Sequence, residues 1–155
     1  MSPSSPPTVV ILVPGAWHAP DHYSRFLDGV QHHGLETLSE RNPSCDAPNP
    51  HETSTAADAS AIRQLILSQF DKGYDVVIAM HSYGGCPGAA AAHGLSKTER
   101  QAAGQKGGVI GLIFICAFVA DEGDSLISKL PGGVRVEWMI LHVRHFSRTC
   151  QIGHD

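Results

Sequence analysis

The chain has 155 residues, 42% of them apolar and 17% charged, and a formal net charge of −4. That length suits one domain with a real hydrophobic core, and the composition excludes a disordered tail, a collagenous or coiled-coil rod and the basic stripe of a nucleic-acid binder. No apolar run reaches the roughly 18 residues of a membrane span, and residues 1–7, polar and proline-rich, lack the charged-then-apolar pattern of a secretion signal.

In chain order, Thr8–Val13 is an unbroken run of β-branched residues and leucine that stops at Pro14-Gly15, the pattern of a strand buried on both faces of a parallel sheet. Asp21 is placed to cap a helix whose apolar positions Tyr23, Phe26, Leu27 and Val30 share one face, and Gly34 ends it. A short strand is expected over 35–38, then a surface loop over 42–55 rich in Pro, Asn, Ser and Thr. Ile62, Leu65, Ile66 and Phe70 mark the buried face of a second helix, capped by Ser54 or Thr55 and ended by Gly73. Residues 74–80 form the next buried strand. A glycine-bearing turn follows, and Pro87 sits where the first turn of a helix tolerates proline, ahead of four alanines. Residues 96–108 are polar and glycine-containing and are expected to be exposed, and 109–118 is the fourth strand.

Buried strands alternating with amphipathic helices specify an α/β fold, a doubly wound and mostly parallel sheet with right-handed crossovers. Residues 8–128 are assigned to this core, 1–7 to a flexible start and 129–155 to a tail of different character, with four basic and two acidic residues. Residues 134–143 are the tail's one strand candidate.

Cys45, Cys86, Cys116 and Cys150 form no CxxC pair, and a chain of this length does not need a disulfide framework. Cys116, inside an apolar run, reads as a small buried hydrophobe. A reducing, cytoplasmic compartment is the expectation.

The chemistry concentrates at Ser82. A buried strand, then His81-Ser82-Tyr83-Gly84, then a helix is the layout of a nucleophile elbow, in which the serine projects from a sharp turn above the sheet edge. Small residues must flank that turn because helix and strand approach closely there, and Gly84 and Gly85 meet the demand. Met80 departs from the G-x-S-x-G pattern and must find room against the next strand. Residues 13–18, Val-Pro-Gly-Ala-Trp-His, lie at the carboxyl end of the first strand, where such sheets place ligands. An oxyanion hole takes one N–H from that loop and one from the residue after the nucleophile, so Ala16 and Tyr83 are the candidate donors. Trp17, His18 and His81 flank them and are assigned to substrate binding. Trp17 alternatively packs on the core, and His81, adjoining the serine at a turn where neighbours point apart, reads as a packing residue rather than a base.

These motifs resemble the α/β-hydrolase superfamily. More narrowly, VPGAWH, MHSYGG and SKTERQAAGQKGGVIGLIFICAFVADEG resemble a group of fungal hydrolases, over residues 8–126. The resemblance implies a serine esterase, lipase or lactonase activity on a small-molecule ester, lactone or thioester, with no metal or organic cofactor. It also implies a setting in fungal secondary metabolism, with a polyketide-type ester or lactone as substrate class. Pro14 stands where many relatives have a histidine that braces the loop.

A triad in this fold runs nucleophile, acid, histidine along the chain. Only 73 residues follow Ser82, too few for the cap and further strands that the family places before its histidine. Asp121, with Glu122 and Asp124, follows the fourth strand, where a minority of the family place the acid; the alternative is a solvated carboxylate loop. His142, His145 and His154 are the candidate bases of the tail. A shortened sheet leaves its last strand uncovered, so self-association through that edge is expected. A non-catalytic remnant of the fold is the rival reading. Other classes fit poorly: Gly84, Gly85 and Gly88 do not match G-x-G-x-x-G, and the His18/His22 and His142/His145 pairs lack further ligands at zinc spacing.

Overall fold

The computed structural model describes residues 6–45, 47–49, 53–124 and 126–130. The tail strand candidate, Cys150 and His142, His145 and His154 fall outside them. Four parallel strands, β1 (Thr8–Val13), β2 (Glu36–Ser39), β3 (Asp75–His81) and β4 (Val109–Ile115), form one sheet in the order β2-β1-β3-β4. β1 pairs in register with β3 from Thr8↔Asp75 to Val13↔Met80, and β3 pairs with β4 across an irregularity at Val76/Val77. The order departs from chain order because each parallel neighbour needs a crossover, and the crossovers are helical.

Helix α1 (Ser24–His32) covers one face, where Tyr23, Leu27 and Val30 pack on Val10, Leu12 and Ala79. Helices α2 (Thr55–Asp71) and α3 (Gly85–Ala92) cover the other, enclosing Val9, Ile11, Val13, Ile66, Phe70, Ile78 and Met80. β1 thus sends alternate side chains into two cores, which is why its sequence is apolar without alternation. The two faces are closed by different chemistry at the helix starts. Ser54 caps α2, its hydroxyl accepting the Ala57 N–H at 3.1 Å. Asp21 caps nothing: a 3₁₀ turn over Pro20–Tyr23 precedes α1 and contains it, because Pro20 starts the helical path earlier. Gly34 and Gly73 end α1 and α2 at φ +81° and +88°, values that glycine adopts without strain.

The segment expected to be exposed over 96–108 folds into a further helix, α4 (Lys97–Ala102). Its start is a capping box: Ser96 Oγ accepts the Glu99 N–H, and Glu99 Oε2 accepts the Ser96 N–H. The Ser-Lys-Thr-Glu spacing carried that signal, but the glycines after it masked a helix of six residues. Val109 N–H then donates to Leu95 O at 2.8 Å and anchors the start of β4.

Candidate active site

β3 ends at His81, and the chain reverses at Ser82 with φ of +51°, a left-handed conformation that costs a non-glycine residue about 1–3 kcal/mol and persists only where its surroundings enforce it. A 3₁₀ turn (Ser82–Gly84) runs directly into α3. Four glycines explain how strand, turn and helix close together. A Cβ on Gly84 would lie 2.6 Å from Val13 O and 2.7 Å from Pro14 O, so the turn rests on the exit of β1. A Cβ on Gly85 would strike Phe118 O, and Phe118 N–H donates to Ser82 O at 3.0 Å, fastening the loop after β4 to the same turn. A Cβ on Gly15 would lie 2.9 Å from His81 Nδ1 and 3.2 Å from Ser82 Cβ. Gly88 accounts for the departure at Met80: its missing Cβ would lie 2.7 Å from both Met80 Cγ and Sδ, so the helix provides the space that the strand residue takes.

The β1 exit loop is braced by side chains from elsewhere, in place of the histidine that Pro14 lacks. Asn42 Nδ2–H donates to Pro14 O at 3.0 Å, and Gly15 N–H donates to Tyr23 Oη at 3.0 Å. The Tyr23 hydroxyl in turn lies 2.8 Å from His81 Nδ1. The amide donates into one lone pair of the tyrosine oxygen, and the direction of the Tyr23–His81 bond follows the His81 tautomer. Burial and the neighbouring His18 hold the His81 pKa below the ordinary histidine value, which favours the neutral ring.

The side chains assigned to substrate binding separate into two kinds. His18 and His81 are half-buried and stack edge to face with ring centroids 5.5 Å apart. His18 Nδ1–H donates to Ala16 O at 2.7 Å, which leaves Nε2 as its acceptor. Trp17, at φ +61° and 66% exposed, stands out from the surface and does not pack on the core. Cys116 is likewise exposed, not buried, because β4 has no strand beyond it among the described residues.

Tyr83 has a second attachment that its sequence position did not announce. Its hydroxyl donates to Asp58 Oδ2 at 2.7 Å, and Asp58, on α2, is fully buried. Asp121 is placed in the solvated carboxylate loop: its side chain is 90% exposed and lies 3.3 Å from Lys129 Nζ, which also pairs with Asp124. Among the described residues, no group of three or more His, Cys, Asp or Glu is arranged to hold a metal ion, and no helix is long and apolar enough to cross a membrane.

Residues 10–149 match the model of the alpha/beta hydrolase family. The chain is 35% identical over 121 residues to the alpha/beta hydrolase nvfD of Aspergillus novofumigatus (strain IBT 16806), covering 78% of this chain and 47% of that protein. It is 27% identical over 124 residues to a protein named as a hydrolase from Phoma sp. (strain ATCC 20986 / MF5453), covering 79% and 48%. Among solved structures it resembles an extracellular alpha/beta-hydrolase from a Paenibacillus species, with a TM-score of 0.61 at 15% identity, covering 81% of this chain and 47% of that one. The chain therefore spans about half the length of the curated relatives it matches. With the elbow, the parallel sheet and the matched sequence in agreement, the chain belongs to the alpha/beta hydrolase family.

Proposed function

We propose that the chain is built for serine-dependent hydrolysis of a small-molecule carboxylic ester, lactone or thioester. The observation that carries this reading is Ser82 at φ +51° on the turn between β3 and α3, pressed against Gly15. In the proposed reaction the Ser82 hydroxyl oxygen bonds to the substrate carbonyl carbon and its proton passes to a base. The backbone N–H groups of Ala16 and Tyr83 hold the carbonyl oxygen as it becomes an oxyanion, and the α3 N-terminus adds a favourable dipole. The tetrahedral species collapses with departure of the alcohol or thiol, which takes up the proton. Water then releases the acid from Ser82 by the same path. Trp17 and His18 line the approach. The candidate bases of the tail, His142, His145 and His154, lie outside the described residues. The fungal origin of the nvfD relative supports a fungal setting, and secondary metabolism and a cytoplasmic location are part of the proposal.

One observation favours the rival reading, a non-catalytic remnant of the fold: among the described residues, no histidine ring is hydrogen-bonded to the Ser82 hydroxyl, and the ring hydrogen bonds of His18 and His81 go to Ala16 O and Tyr23 Oη. Treating folded wild type and Ser82→Ala with a fluorophosphonate probe and weighing the intact proteins separates the two. A single adduct on wild type alone is the expected result. No adduct on a protein shown folded by circular dichroism establishes the remnant.

A further inference from the structure

We infer that Asp58 is a positioning residue for the oxyanion hole, acting through the Tyr83 hydroxyl to fix the backbone N–H of Tyr83. The inference rests on the serine-hydrolase reading above. Asp58 lies in the first turn of α2 and is fully buried. A carboxyl there is tolerable only when its lone pairs are filled. Three donors fill them: Ser44 N–H at 2.8 Å on Oδ1, Ser44 Oγ–H at 2.6 Å and Tyr83 Oη–H at 2.7 Å on Oδ2. Thr55 Oγ1 lies 3.3 Å from the same tyrosine oxygen.

Burial, and then the Asp58 carboxyl, raise the Tyr83 pKa far above the ordinary tyrosine value, so the phenol remains a donor wherever the protein is folded. A tyrosine ring has only two side-chain torsions, so pinning its far end restrains its backbone. The near end is pinned as well, by the turn at Ser82 and by the seat of Gly84 on Val13 O and Pro14 O. The peptide N–H between Ser82 and Tyr83 is thereby held from both sides. That group is the proposed second oxyanion donor, and loss of one such donor costs about 10²–10³-fold in kcat. Of the three bonds on Asp58, two secure the loop after β2 and one reaches the elbow. This division allows positioning to be separated from stability.

The test follows p-nitrophenyl acetate hydrolysis and thermal unfolding of the full chain in wild type, Ser82→Ala, Tyr83→Phe and Ser44→Ala. Tyr83→Phe is expected to lower kcat by about tenfold with KM within about twofold, since donor geometry acts in the transition state. Ser44→Ala, which removes a bond of similar length to the same carboxyl, is expected to lower Tm comparably while kcat stays within about twofold. Asp58→Asn exchanges an acceptor for a donor and is expected to follow Tyr83→Phe in kcat. A Tyr83→Phe kcat within about twofold of wild type, or an equal fall in kcat for Ser44→Ala, overturns the inference and leaves the hydrolase reading standing. Wild-type hydrolysis no faster than that of Ser82→Ala overturns both.

Discussion

β1 and β4 are built from nearly the same residues and live in opposite surroundings. Val9, Ile11, Leu12 and Val13 of β1 are each 1% exposed, whereas Ile110, Leu112, Ile113 and Phe114 of β4 are 39–50% exposed. β1 has a paired strand on either side and helices on both faces. β4 pairs with β3 alone among the described residues, and only Val109 and Ile115 reach the two cores. An apolar run therefore sets the potential for burial, while position in the sheet decides how much is realised. The same contrast divides the active corner, where the close contacts of Gly15, Gly84 and Gly88 gather at the β1–β3 side and those of Gly85 meet the loop after β4.

The largest effect is expected from Ile11→Ala, which empties a closed core and should cost about 2–5 kcal/mol in urea unfolding. Ile113→Ala on β4 should cost under about 1 kcal/mol in the same assay; equal losses would break the comparison and require a cover over β4. Next comes Gly88→Ala, whose Cβ meets Met80 at 2.7 Å. Overpacking there should cost about 1–3 kcal/mol. Pairing it with Met80→Ala should recover part of that cost, and strict additivity would refute the shared space. Ile113→Lys should weaken self-association through the β4 edge, which is our expectation for this face, without lowering Tm by more than a few degrees. Sedimentation velocity over a range of concentrations reads this directly, and a wild-type chain that stays monomeric would discard it.

The smallest effect concerns pH. His81 binds its proton less readily in the folded protein than the ordinary histidine value of about 6.5 would allow. The unfolded chain therefore takes up more protons as the pH drops, and stability contributed by neutral His81 is present above that value and lost as the pH falls through and below it. His81→Gln should flatten that part of the stability profile between about pH 7 and 5.

Much of the corner was legible from local spacing. The run before Ser82 and the small residues after it specify strand, turn and helix within about ten positions, a range over which sequence pattern acts directly. Thr8–Val13 and the Ser54 cap follow for the same reason. The misses depend on contacts across the fold. Gly88 accommodates Met80 only because α3 lies back over β3, and Asp58 reaches Tyr83 across 25 residues. Nothing in the composition around Asp58 distinguishes it from a first-turn carboxylate facing solvent. Cys116 was misjudged because burial was inferred from its apolar neighbours, and those neighbours are themselves exposed.

The bond from Phe118 N–H to Ser82 O has a consequence of its own. It couples the loop after the most exposed strand of the sheet to the left-handed residue at the centre of the elbow, with Gly85 seated against the same Phe118 carbonyl. β4 cannot peel away from β3 without tugging the serine's own peptide unit. The Phe118 amide is therefore a built-in gauge of the elbow: its rate of exchange with deuterated solvent would record how tightly Ser82 is held. Whatever grips the outer edge of the sheet would slow that exchange without ever touching the serine.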